Sequence, residues 1–117
     1  MSKIVDNTIR GREGEELACQ FLKEQGHEVL FRNFRNRLGE IDIVSVKQDS
    51  IFFIEVKNWE GNLISPLEVF TKKKISLMRK LAEFFFFSNP KYRGNFFVSF
   101  CLIEIRKDKV HFHRDLF

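Results

Sequence analysis

The stretch GEIDIVSVKQDSIFFIEVK, residues 39–57, leaves a chain few ways to fold. Apolar residues fill both of its flanks, and the polar group Lys47-Gln48-Asp49-Ser50 interrupts them once. This pattern predicts two strands, about Glu40–Lys47 and Ser50–Lys57, joined by a tight turn. With Gln48-Asp49 as a two-residue loop, or with any even-length loop centred there, antiparallel partners have residue numbers summing to 97. Asp42 then stands opposite Glu55, and Glu40 stands opposite Lys57. An odd-length loop would shift the pairing by one.

Directly opposed side chains have Cβ atoms about 4.5–5.5 Å apart. Two carboxylates held that close in a partly buried sheet repel, raising one another's pKa or lowering stability. A divalent cation between them reverses the sign of that interaction. Mg²⁺ takes oxygen ligands and is often held by only one or two protein carboxylates, with water and phosphate completing its shell. Glu55 and Lys57 are two apart on one strand, so they share a face, where a metal and an ammonium group would seat a phosphate. The plainer reading stays open on this segment alone. Polar residues at hairpin ends are commonly solvated, and Glu40–Lys57 would be an ordinary ion pair worth little.

The rest of the chain supplies what such a hairpin needs around it. Residues from about Thr8 to Gln25 fit a helix with the apolar stripe Leu17, Ala18, Phe21 and Leu22, stopped by Gly26. Glu15 falls on the stripe of Ala18 and Leu22, at the edge of the face that packs on the sheet. Gly11 and Gly14 would permit close approach of backbone or ligand there. Alternatively, Glu15 favours the helix dipole, as Glu13 and Glu16 do. A strand from His27 to about Phe34 follows. Ser65-Pro66-Leu67-Glu68 is a helix start, and that helix continues through Phe70, Leu77, Met78, Leu81, Phe84 and Phe85 to end before Asn89-Pro90. NFFVSFCLIEI reads as a long buried strand and KVHFHRDLF as a shorter closing one. The order α-β-β-β-α-β-β predicts an α+β or mixed α/β fold, with helices against one sheet, in a single domain spanning residues 1–117.

The net charge of +4 is unevenly spread. Residues 1–60 carry 9 Lys and Arg against 11 Asp and Glu, while residues 61–117 carry 11 against 5. A basic surface favours polyanions such as nucleic acid. Arg32, Arg35 and Arg37, in RNFRNR, are placed in a loop leading into the first acidic strand, either beside a phosphate or simply in solvent. Lys72, Lys73 and Lys74 begin the second helix, where positive charge opposes the macrodipole. That points to an external anion or to a solvated helix face. Phe84–Phe87 cannot all face one side of a helix, and a homodimer contact is one expectation. Trp59 either stacks on a base or packs. His111 and His113 are read as structural or exposed, and Cys19 and Cys101 as reduced core thiols. The amino terminus has no apolar h-region, and the most apolar run, Leu81–Phe87, is too short to span a bilayer. A cytoplasmic protein with no membrane partner is therefore expected.

Together these residues resemble the PD-(D/E)XK nuclease superfamily and, more closely, the YraN-like family of predicted bacterial endonucleases related to archaeal Holliday-junction resolvases. The resemblance covers almost the full length. It rests on Gly11-Arg12-Glu13-Gly14-Glu15 with Ala18 and Leu22, on Arg32-Asn33, on Gly39-Glu40-Ile41-Asp42, on Phe53-Ile54-Glu55-Val56-Lys57, and on Pro66, Val69 and a lysine among Lys72–Lys74. It implies a restriction-endonuclease-like αβββαβ core, a central mixed sheet flanked by helices. It further implies that Asp42 and Glu55 hold Mg²⁺ or Mn²⁺, that Lys57 completes the catalytic set, and that Glu15 contributes directly or through a water ligand. Glu40 would tether Lys57. The implied function is metal-dependent hydrolysis of DNA phosphodiester bonds, with branched or damaged DNA as candidate substrates. The alternatives are a non-catalytic nucleic-acid-binding module with the same fold, a hydrolase of another phosphate ester, and an interaction protein using its phenylalanine surface. Two departures bear on nucleic-acid contacts: Trp59 stands where such proteins usually carry a basic residue, and Asn95-Phe96-Phe97 where they tend to show Arg-Phe-Asp.

Overall fold

A computed structural model describes residues 3–59 and 65–117. Helix α1 spans Lys3–Glu24, and three strands follow: β1, Glu28–Asn36; β2, Gly39–Lys47; and β3, Ser50–Asn58. A short helix α2, Pro66–Val69, and the long helix α3, Lys72–Ser88, lead to β4, Phe97–Arg106, and β5, Lys109–His113. The five strands lie in one sheet in the order β1-β2-β3-β4-β5. Every neighbouring pair is antiparallel except β3–β4, which is parallel and needs the long crossover that α2 and α3 supply. This is an α+β fold with a mixed sheet between helices, consistent with a restriction-endonuclease-like core.

The hairpin register is the one its turn dictates. Lys47 pairs with Ser50 and Ile43 with Ile54, and every partner pair sums to 97. Gln48 takes a φ of 54°, as the first position of a two-residue turn between twisted strands requires.

Helix α1 buries Ala18, Cys19 and Leu22 against one face of the sheet, where Ile43, Ile54, Cys101, Ile103 and Ile105 complete a core. Both cysteines are free and buried there. On the other face α3 lays Met78, Leu81 and Phe85 on Phe53, Phe100 and Leu102. Phe85 meets Phe53 edge-on at 5.5 Å between centroids, and Phe117 stacks on Phe100 at 4.6 Å. Burying a ring of that size stabilises the fold by about 2–3 kcal/mol. In the Phe84–Phe87 run, Phe85 is buried while Phe84 and Phe87 are exposed, as four consecutive helical rings must arrange themselves.

Two expectations are corrected. The second helix does not run unbroken from Pro66. Phe70 and Thr71 leave the helix, and the Thr71 hydroxyl caps α3 by accepting the Lys74 N–H at 3.2 Å. The apolar spacing reads straight through this break because Phe70 is buried anyway, against Phe117. The first strand also extends to Asn36, so Arg32 and Arg35 lie in a strand rather than a loop. Among the described residues no helix is long and apolar enough to cross a membrane.

Candidate active site at a fork in the sheet

Strands β2 and β3 pair closely from their turn as far as Ile43↔Ile54 and then part. Beyond that point β2 continues along β1, with Phe34↔Ile41 and Arg35↔Glu40, while β3 continues along β4, with Glu55↔Leu102 and Lys57↔Glu104. A fork opens between the two central strands, and the next residue on each limb is an acid: Asp42 on β2 and Glu55 on β3. The Asp42 carboxylate occupies the fork, where Oδ2 accepts the Val56 N–H at 2.8 Å.

Asp42 titrates near 7, far above an ordinary aspartate. Burial is the main cause and the charge of Glu55 the second, while the Val56 hydrogen bond pulls the other way. Glu55 is only 6% exposed and has a lysine at each oxygen. Lys57 Nζ lies 3.5 Å from Oε1, and Lys74 Nζ lies 3.1 Å from Oε2. Glu15 comes from α1. Burial raises its pKa, a hydrogen bond from the Asn33 side chain and the charge of Arg32 oppose that rise, and Glu40 and Glu55 push it further up. The fields of Glu15, Asp42 and Glu55 therefore overlap, with Lys57 beside them.

Gly14 is what brings α1 this close. A Cβ there would sit 2.7 Å from Asn58 Cβ, at the end of β3, and Asn58 donates to the Arg10 carbonyl at 2.9 Å. Gly11 faces open space, so close approach holds for Gly14 alone.

Lys74 was expected on a phosphate-binding surface with Lys72 and Lys73; it points inward to Glu55, while its two neighbours are exposed. The cap at Thr71 resets the helix phase, and only that cap could have indicated it. Glu40 does not tether Lys57. Its carboxylate meets Arg35 at 3.3 Å, across the β1–β2 pair. Arg32 reaches Glu16 on α1 at 3.0 Å, and Arg37 is exposed in the β1–β2 turn. Trp59 is packed, with the Arg106 guanidinium 5.3 Å from the centre of its ring. His113 faces a buried carboxylate: Glu104, 1% exposed, lies 3.8 Å from it and 3.8 Å from Arg106. Sequence reading missed Glu104, because a lone acid in LIEI carries no pairing signal.

Among the described residues no group of three or more His, Cys, Asp or Glu side chains is placed to hold a metal ion. The candidate donor set is the pair Asp42 and Glu55. Two hard carboxylates are the kind of protein contribution that Mg²⁺ accepts, and their mutual repulsion is what a divalent charge relieves.

Residues 14–110 match the model of a family described as "Uncharacterised protein family UPF0102". A UPF0102 protein of Leptospira interrogans is 42% identical over 110 residues, covering 92% of this chain and 94% of the relative. One from Syntrophomonas wolfei is 39% identical over 108 residues, covering 90% and 94%. One from Thermotoga maritima is 43% identical over 83 residues, covering 71% and 75%.

Proposed function

The chain belongs to the UPF0102 family, and we propose that it is a Mg²⁺- or Mn²⁺-dependent endonuclease of the PD-(D/E)XK type that hydrolyses DNA phosphodiester bonds in the cytoplasm. The observation that carries this reading is the fork itself. A sheet has opened at its centre to set Asp42 beside Glu55, where burial and like charge push Asp42 up to about 7. An arrangement so poor for stability calls for a cation.

When bound by Asp42 and Glu55, the metal supplies polarisation of a phosphoryl oxygen and acidification of a water ligand. The remaining work belongs to the chain. Lys57 and Lys74, within 3.5 Å of Glu55, are placed to turn from that carboxylate toward an incoming phosphate and to offset the negative charge that builds on it during attack. Lys57 also orients the attacking oxygen. Glu15 steadies the water shell from the α1 side. Arg37, Arg35, Lys72 and Lys73 form the rim that grips neighbouring phosphates, with Arg32 behind them at Glu16. Branched or damaged DNA is the candidate substrate.

One observation favours a second reading, a DNA-binding module that does not cut. Both oxygens of Glu55 already have ammonium partners, which neutralise it without metal. Calorimetric titration of wild type and Asp42→Asn with Mg²⁺ and Mn²⁺, in the presence and absence of DNA, separates the two. We expect binding by wild type that is lost in the variant. Metal-dependent cleavage should then appear on at least one of linear, nicked, flapped and four-way substrates. DNA binding without any metal uptake would replace the nuclease reading with the second one.

A further inference from the structure

Besides the bulge between Val29 and Phe31, strict strand alternation fails at a second step of the β1–β2 pair. Arg32 pairs with Glu16 on α1, and Ile43 lies in the α1-side core. Alternation along β1 and β2 would then turn Phe34 and Ile41 to the α1 side as well. Both instead belong to the α3-side core, and the Phe34 ring meets Phe84 and Phe85 on α3. Each strand therefore turns over between the pair Arg32↔Ile43 and the pair Phe34↔Ile41. The step between them is Asn33 against Asp42, and it is missing from the ladder.

Asn33 has a φ of 54°, in the left-handed region, in the interior of a strand. Asparagine is among the few residues with a side chain that visit this region readily. Its side chain faces the Glu15 carboxylate and favours the charged form of that group. Across the step, Asp42 joins neither the β1 nor the β3 ladder, and its carboxylate takes the Val56 N–H instead. Asn33 thus stands at the rung where Asp42 leaves the ladder, and its side chain faces Glu15.

We propose that Asn33 is a positioning residue: its left-handed backbone turns the β1–β2 pair over so that Asp42 leaves the ladder for the fork, and its amide holds Glu15 alongside. The inference deepens the nuclease reading and rests on it for what Asp42 does once placed.

The Val56 amide reports the position of Asp42 without metal, substrate or turnover. Hydrogen exchange followed by NMR would compare wild type with Asn33→Gly, Asn33→Ala and Asn33→Val, and Asp42→Ala would set the rate with no acceptor. Glycine adopts a left-handed φ freely, alanine with some strain and valine with most. Val56 protection should stay within about twofold of wild type in the glycine variant. It should fall about tenfold or more, toward the Asp42→Ala rate, in the valine variant. Val46 and Ile51, in the closed part of the hairpin, should keep their protection. If the valine variant fails to fold, the alanine variant should show the same ordering at smaller amplitude. Equal Val56 protection in folded glycine, alanine and valine variants overturns the backbone role. Mn²⁺ titration tests the amide role: affinity should fall severalfold in Asn33→Gly, and an unchanged affinity overturns it. Absence of Mn²⁺ binding by wild type would sink the nuclease reading and the amide role, while the Val56 ordering would still stand or fall by itself.

Discussion

The two ends of the β2–β3 hairpin are built from similar apolar strands, yet they finish differently. At the Gln48-Asp49 end the ladder is complete to the last pair, Lys47↔Ser50, and its polar residues are solvated turn formers. At the other end pairing stops at Ile43↔Ile54, and the strands part around two buried or half-buried acids. The closed end maximises backbone hydrogen bonds. The open end gives one up, and a carboxylate takes the Val56 N–H that a strand carbonyl would otherwise accept. A fold that stabilised itself as well as possible would zip both ends. The difference marks the fork as the candidate site.

The largest test of that contrast is chemical. Asp42→Asn and Glu55→Gln should each lower metal-dependent DNA cleavage by about 10³-fold, the several kcal/mol that metal stabilisation of charge is worth. Asp49→Asn, at the closed end, should leave the rate within about twofold by the same measure. Comparable losses from both ends, in single-turnover assays on one substrate, would erase the distinction.

A second test concerns stability without metal. In the folded chain Asp42 titrates near 7, against 3.8 for the ordinary residue. Its charged form is disfavoured by folding, so it imposes no penalty below about pH 4. The penalty grows as pH rises from 4 to 7, and it is complete above 7. In the presence of a chelator, Asp42→Asn should therefore match wild type at pH 4. It should exceed wild type by on the order of 3 kcal/mol at pH 8. Urea melts across that range measure the gap, and a gap that does not widen with pH would show that the fork is not strained. A saturating divalent cation should narrow it again.

Helix α1 offers a third contrast between two glycines three residues apart. Gly14→Ala puts a Cβ 2.7 Å from Asn58 Cβ and should destabilise the protein by about 1–3 kcal/mol. Gly11→Ala meets nothing within 4 Å and should raise stability by roughly 0.5–1 kcal/mol through helix propensity. Thermal melts of the two variants would show opposite signs if Gly14 alone sets the approach of Glu15.

The hairpin was legible because a two-residue turn fixes its register, and that register makes Asp42 and Glu55 the first residues past the last pair, Ile43↔Ile54. The helix faces were legible from Ala18, Leu22, Met78 and Phe85. Lys74 was not, because the inward turn of its side chain depends on the helix restarting at Thr71, which apolar spacing does not show. Arg37 does lie in the turn, whereas Arg32 and Arg35 read as loop residues because they alternate with residues whose burial depends on the turnover at Asn33. That turnover is a tertiary event, and a lone asparagine in a strand gives little warning of it.

The smallest expected effect concerns the rim at the open end. Arg37 is exposed in the turn, while Arg35, with 68% of its side chain exposed, already meets Glu40. Each phosphate neutralised on duplex DNA contributes about 0.9 to the slope of log affinity against log salt concentration. Arg37→Ala should remove about that much, whereas Arg35→Ala should remove less, because its loss also frees the Glu40 charge to repel the backbone. The two variants would then differ in an informative way. Arg35→Ala should weaken binding at low salt more than its slope implies, and Glu40→Gln should restore that part alone. Fluorescence anisotropy from 50 to 300 mM salt, roughly the range over which such slopes are resolved, would separate a direct phosphate contact from a charge merely kept in balance. Identical slopes for wild type and Arg37→Ala would remove the β1–β2 turn from the DNA interface and leave the open end with Lys72 and Lys73 as its outer cations.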